Sequence, residues 1–274
     1  MNMFVQCEKA TGIDLELTVI PESDYSSKLN QMVSTGDDSI DIYIIWENDI
    51  KNFAQANGII PMDDYLANST IKTDEFIDAV AKLSDGLGGT YGLPWCAATE
   101  ILYYNKDMFD KAGVAYPPAD AKNAWTWDEF VHNAKLLTLD ANGNNATSQA
   151  FNPNAIVQYG AMIENLTWQL EVWALSNGGG FYTADGSKVI INESAATDAI
   201  QKVADLHLVH HVAPLSTGLT DDGIQRSLIA GTCAMSTNGA WNVGTSLASA
   251  RAEGLNYGVA VLPYMKEKVT SSWW

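Results

Sequence analysis

Tyr91-Gly92-Leu93-Pro94-Trp95, followed by Glu100-Ile101-Leu102-Tyr103-Tyr104-Asn105-Lys106-Asp107-Met108-Phe109 and Lys111-Ala112-Gly113, is the stretch on which the reading of the fold turns. An apolar strand with a Gly-Leu-Pro break, which reads as a hinge, is expected to run into a second apolar strand, Ile101 to Tyr104. A short helix then follows, and Gly113 stops it because glycine tolerates the left-handed turn after a helix. Downstream, Trp125-Thr126-Trp127-Asp128-Glu129-Phe130 opens another helix. Thr126 is its N-cap, Glu129 completes a capping box, and Trp125 with Phe130 is placed as a hydrophobic staple.

Outward from that stretch the chain alternates strand and helix, the pattern of an α/β fold with mostly parallel strands. Ile13, Leu15, Leu17 and Val19 alternate with Asp14, Glu16 and Thr18, whereas Ile40 to Ile45 is nearly all apolar and predicts a strand buried on both faces. Helical stripes fall at Tyr25, Leu29, Met32 and Val33, at Phe130, Val131, Ala134 and Leu137, and at Ala196, Ala199, Ile200, Val203 and Leu206, with Asn192 as the cap of the last.

The 274 residues exceed the length at which one core usually keeps growing, which leaves two lobes or one large domain open. Hydrophobic residues at 47% and charged residues at 18% fit a globular protein, and no segment has the unbroken apolar length of a membrane-spanning helix. The formal charge of -18 argues against nucleic acid, since phosphate binding needs clustered Lys and Arg. Cys7, Cys96 and Cys233 lack the paired spacing of a zinc or redox site and are expected to be buried free thiols. The sequons at Asn68, Asn145, Asn165 and Asn192 are read as chance patterns of polar loops. Asp140-Ala141-Asn142-Gly143-Asn144-Asn145 offers oxygens at alternate positions, but its glycine is misplaced and no closing glutamate follows, so a surface turn is expected in place of calcium. No metal or cofactor is expected elsewhere. Of the four histidines, His207 and His211 have helical spacing, but no glutamate follows His207 as in a zinc-protease helix.

The Tyr-Gly-Leu-Pro strand, the Leu-Tyr-Tyr-Asn-Lys-Asp step and the Thr-Trp-Asp-Glu-Phe helix start, in this order and spacing, resemble the signature of the family 1 extracellular solute-binding proteins. These are sugar receptors of ABC importers, maltose-binding protein among them. The segments Thr11 to Val19, Gly36-Asp37 and Ile40 to Tyr43 agree with that pattern, as do Ala230 to Met235, Asn238 to Trp241 and Tyr257 to Pro263. The resemblance covers nearly the whole chain. It implies a two-lobed periplasmic-binding-protein-like α/β fold (type II), with residues 1–97 plus 257–274 as an incomplete N-terminal lobe and 98–256 as an incomplete C-terminal lobe. It also implies a signal, a lipoprotein anchor and a first strand upstream, and on the order of a hundred residues downstream, so that a fragment of an extracellular or periplasmic receptor is expected.

Nine tryptophans, several at strand ends or turns, suit a sugar ligand: flat rings cover its C–H face while carboxylates and amides take its hydroxyls. Trp46-Glu47-Asn48-Asp49 delivers both kinds at the carboxyl end of an expected strand, where α/β sheets bind ligands. The resemblance carries stacking and hydroxyl binding onto Trp46 and Asp49, with Asn48 between them, and a second platform onto Trp241 of Asn238-Gly239-Ala240-Trp241. Trp168 is a further aromatic match, and Trp95, Thr99 and Glu100 are expected at the cleft floor, although the family's glutamate aligns nearer Ala98. Trp125 and Trp127 are assigned to helix capping. The resulting expectation is a monomer that closes two lobes over a neutral mono- or oligosaccharide and hands it to the membrane subunits of an ABC permease. Two alternatives stay open: a glycoside hydrolase using Asp49 and Glu100 as paired carboxylates, and a fragment unable to bind.

Overall fold

The computed structural model describes residues 3–81, 85–86, 88–163, 166–183, 187–215, 227–244, 246–252, 254–270 and 272–273. The sequon at Asn165 and the terminal Trp274 lie outside them. The chain divides into two compact units, the first Met1–Trp95 with Trp274 and the second Cys96–Trp273.

In the first unit, helices α1 (Met3–Thr11), α2 (Glu22–Thr35), α3 (Glu47–Gln55), α4 (Asp63–Ala67) and α5 (Asp78–Ala81) precede a two-stranded ladder of β1 (Asp85–Gly86) and β2 (Gly89–Thr90). The predicted stripe of α2 packs as expected: Leu29 and Met32 join Phe53 of α3 in a buried cluster, with Tyr25 and Val33 against it. Gly36 ends α2 in the left-handed conformation, φ 66°. The two strands expected here do not form. Neither Ile13–Val19 nor Ile40–Ile45 belongs to a described ladder, and Val19 and Ile42 are 88% and 82% exposed. Only Ile40, Tyr43 and Ile45 of the second segment rest on the α2–α3 cluster, so it is covered on one side and not on both. Apolar side chains favour burial, but a strand also needs a neighbour to take its backbone N–H and C=O groups.

The second unit is built on β3 (Ala98–Asn105), which runs antiparallel to β6 (Met235–Gly239) on one edge and to β7 (Tyr257–Ala260) on the other, with β8 (Ser272–Trp273) beside its start. Residues 159–162 line the far edge of β6 through the parallel bridges Tyr159–Cys233 and Met162–Ser236. A short antiparallel pair, β4 (Leu139–Asp140) and β5 (Ile156–Gln158), stands apart. The α/β class holds, but the described ladders are antiparallel where mostly parallel strands were expected. Parallel order follows from strand–helix alternation only when sequential strands are sheet neighbours. Here a long excursion separates β3 from β6, which returns in the opposite direction. β7, assigned from sequence to the N-terminal lobe, is hydrogen-bonded to β3 and falls in the second unit.

Helices α6 (Lys106–Ala112), α7 (Trp127–Leu137), α8 (Thr167–Ser176), α9 (Ser194–Leu208) and α10 (Ser246–Ala252) complete this unit. Asn105 caps α6 by accepting from the Met108 N–H, and Gly113 ends it with φ 66°, as the sequence predicted. The capping box of α7 is complete: Glu129 N–H donates to Thr126 Oγ1, and Thr126 N–H donates to Glu129 Oε2. Leu102 and Tyr104 of β3, Phe109, Phe130, Ala134 and Leu137 share one core with Trp173 of α8 and with Ala199, Val203 and Leu206 of α9. Each large apolar side chain removed from water there contributes about 2 kcal/mol. Trp127 is part of this core, 5% exposed and edge-on to Trp173, beyond its place at the helix start.

Several local expectations change. Helix α9 starts after Glu193, not Asn192, and neither supplies a side-chain cap. It ends at Leu208, so His211, at φ 53°, does not share a helical face with His207, whose Nδ1–H donates to Pro214 O. Cys7 and Cys96 are exposed; Cys233 alone is buried, donating its thiol to Met235 O, and burial pushes that thiol up to about 12. Asp140 is 1% exposed and organises its turn by accepting from the N–H groups of Asn142, Asn144 and Asn152 and from Asn144 Nδ2. Although burial opposes its ionised form, these hydrogen bonds outweigh it and hold the carboxyl below its ordinary value.

Candidate functional site

Five of the nine residues singled out from sequence lie in the second unit: Thr99 and Glu100 on β3, Trp168 on the first turn of α8, Asn238 on β6, and Trp241 in the turn that follows β6. The Trp168 and Trp241 rings come together with centroids 5.6 Å apart and planes at 57°. Both residues are half-buried. Gly239 makes this geometry possible, because a Cβ there would fall 2.0 Å from the Trp241 ring.

Beneath the pair, the end of β6 is fixed from several directions. Glu100 lies opposite Gly239 in the ladder. The Tyr103 hydroxyl donates to Gly239 O at 2.8 Å, and Asn238 Oδ1 accepts from Gly239 N–H at 2.6 Å. From α8, Gln169 Nε2 reaches Thr237 O at 3.4 Å. Alternation along the two strands puts Glu100 and Thr237 on the face that α8 covers. Glu100 is 2% exposed, and burial pushes its carboxyl up to about 8, against the opposing pull of Thr237 and Gln169. Its two oxygens, Gln169 Oε1 and Thr237 Oγ1 are buried with no closed hydrogen bond. Thr99 is half-buried and turned to a different neighbour, its hydroxyl meeting that of Thr270.

The other four residues are in the first unit. Trp46 is the N-cap residue of α3 and half-buried; Asn48 and Asp49 occupy the first turn, where Asp49 N–H donates to Trp46 O at 2.9 Å. They follow a segment that is not a strand, so the carboxyl-end-of-strand argument for them lapses while the helix start remains. Trp95 ends the unit and is 53% exposed. Gln169, Thr237 and Tyr103 escaped the sequence reading. A glutamine directly after Trp168, at the start of α8, was the available signal.

A separate open depression of about 420 Å³ on α7 and α9, between His132, Lys135, Lys202 and His210, includes none of the expected site residues. Among the described residues no group of three or more His, Cys, Asp or Glu gathers to hold a metal, and no helix is long and apolar enough to cross a membrane.

A family model for bacterial extracellular solute-binding proteins matches residues 3–274. An arabinooligosaccharide-binding protein of Halalkalibacterium halodurans is 24% identical over 207 residues, covering 75% of this chain and 41% of the relative. An sn-glycerol-3-phosphate-binding periplasmic protein of Agrobacterium fabrum is 28% identical over 221 residues, covering 76% and 44%. The chain therefore spans less than half the length of either curated relative. Among solved structures, an ABC substrate-binding protein from Listeria monocytogenes in complex with cycloalternan superposes with a TM-score of 0.79 at 23% identity, over 99% of this chain and 64% of that one. That likeness carries the fold, a two-lobed α/β periplasmic-binding-protein-like fold of type II. Motif order and fold agree with the family match over almost every residue, and the chain belongs to the bacterial extracellular solute-binding protein family.

Proposed function

We propose that this chain is the ligand-gripping part of a carbohydrate receptor that serves an ABC importer outside the cytoplasm. The observation that carries the reading is the Trp168–Trp241 pair, two half-buried rings set at an angle at the end of β6. Angled aromatic surfaces cover the C–H faces of a sugar, and nearby amides serve its hydroxyls. Trp46, Asn48, Asp49, Trp95, Thr99 and Asn238 supply further contacts in this reading. Two lobes close over a neutral mono- or oligosaccharide, the closed monomer is what the permease subunits recognise, and a lipid anchor tethers the full-length receptor. The ligand is bound without turnover. An oligosaccharide-binding relative supports the class, and the glycerol-phosphate-binding relative defines the principal competitor. No Arg or Lys stands near Trp168 or Trp241 along the sequence, which favours a neutral ligand in this reading.

The test is intrinsic tryptophan fluorescence of the purified chain titrated with mono- and oligosaccharides and with glycerol 3-phosphate, alongside Trp241→Ala. A saturable change with a saccharide, lost in the variant, is the expected result. Saturation with the phosphate ester alone would replace the neutral sugar, and release of product from a glycoside would replace binding by hydrolysis.

A further inference from the structure

Glu100 is a carboxylate only 2% exposed, opposite Gly239 in the β3–β6 ladder. Gln169, which follows Trp168 on α8, and Thr237, which precedes Asn238 and Gly239 on β6, are the side chains that act on its carboxyl. Four atoms in this group have no closed hydrogen bond: both Glu100 oxygens, Gln169 Oε1 and Thr237 Oγ1. An ionised carboxylate only accepts, so it has no donor to offer the buried Gln169 Oε1. One proton supplies the missing donor: a protonated Glu100 has an O–H to offer Gln169 Oε1 and keeps a second oxygen for the Thr237 hydroxyl, so that small side-chain adjustments can close bonds at all four atoms.

We propose that Glu100 is a proton-bearing positioning residue, a neutral carboxylic acid that ties the start of α8 to the end of β6 and so holds Trp168 and Trp241 at their working angle. It does not touch the ligand. The surroundings offer it no countercharge among the described residues. β6 presents Thr237, α8 presents Gln169, and the segment before β8 presents Thr270, whose hydroxyl donates to Glu100 O. The cations of that segment are engaged elsewhere, Lys266 Nζ with Asn177 O and Lys268 Nζ with Lys122 O. Glu171, the acid next along α8, is engaged with the Phe181 N–H. Burial, which pushes the Glu100 carboxyl up to about 8, points the same way. Ionisation above that pH strands a charge between the two elements, and the ring pair loosens.

The proposal rests on the carbohydrate reading for its binding readout but not for its proton. Saccharide affinity is measured from pH 6 to pH 10 for the wild type, Glu100→Gln and Glu100→Ala. The expected result is wild-type affinity falling by about tenfold through pH 8, Glu100→Gln binding like the neutral form at every pH, and Glu100→Ala weakened throughout. Glutamine is the conservative mimic because its amide donates and accepts as the acid does. Wild-type affinity that is flat across this range, or Glu100→Gln as weak as Glu100→Ala, would overturn the proposal, the latter by marking the charge as a ligand contact. Infrared difference spectra of the ligand-free chain between pH 6 and pH 10 give the second readout. A carboxylic C=O band of the wild type, absent in Glu100→Gln, is expected whether or not any saccharide binds; its absence from the wild type would overturn the proton assignment. If the band is present and no saccharide binds, the carbohydrate reading fails and the proton assignment stands.

Discussion

The Trp168 and Trp241 rings, 5.6 Å apart between centroids and inclined at 57°, are contributed by the start of α8 and by the turn after β6. Neither element positions the pair alone. The angle follows from how α8 lies across the β3–β6 ladder and from the missing side chain at Gly239. Substituting Trp241→Ala removes one wall of the platform, and saccharide affinity is expected to fall on the order of tenfold or more, with thermal stability changed by less than for a core tryptophan. Titration calorimetry with the saccharide that saturates the fluorescence signal checks this; an unchanged Kd would remove Trp241 from the site.

Two glycines separate function from stability. At Gly239 the nearest atoms that a Cβ would meet belong to the Trp241 side chain, so Gly239→Ala is expected to displace the ring and weaken binding while the chain still folds. At Gly160 a Cβ would lie 1.9 Å from the Ala134 carbonyl oxygen, a backbone atom at the end of α7 that cannot swing aside. Gly160→Ala is expected to cost about 3 kcal/mol of stability. Comparing urea midpoints and saccharide affinities of the two variants should show opposite rankings; equal loss of stability would contradict the assignment.

Glu100 also links stability to pH. Its carboxyl is raised from 4.5 to about 8 in the fold. Between those values the native chain holds a proton that the unfolded chain has released, so this group's contribution makes stability fall as pH rises, then level off above about 8. Glu100→Gln has no such proton. The melting temperature of the wild type should decline more steeply between pH 5 and pH 8 than that of the variant, by an amount equivalent to a few kcal/mol at most. Parallel profiles would show that Glu100 ionises alike in both states.

The capping box of α7 closes the helix that carries Phe130, Ala134 and Leu137 into the core. Thr126→Ala leaves the Glu129 N–H without its acceptor and is expected to destabilise the chain by about 1 kcal/mol, without altering saccharide affinity. Denaturant titration reads the first effect and fluorescence titration the second. A binding loss in this variant would mean that α7 supports the site more directly than its packing indicates.

Local chemistry made much of the second unit legible in advance. Thr126 and Glu129 satisfy each other three residues apart, Gly113 takes a conformation that other residues resist, and the stripes of α7 and α9 bury the residues their 3.6-residue period selects. Each depends on neighbours in the chain, so the amino-acid order determined it, and motif order determined the family. What the order left open was everything that needs a partner distant in sequence. The apolar runs at Ile13–Val19 and Ile40–Ile45 promised strands, yet a strand exists only where another backbone meets its N–H and C=O groups. Ladder direction was decided by the return of β6 and β7 to β3. Glu100 was legible as a carboxylate but not as a buried one: β6 and α8 cover it from far along the chain, and the desolvation they impose raises its pKa. Residue types and spacings determined which groups were on offer; only tertiary packing decided which rings met, which carboxyl lost its water and therefore what each could do.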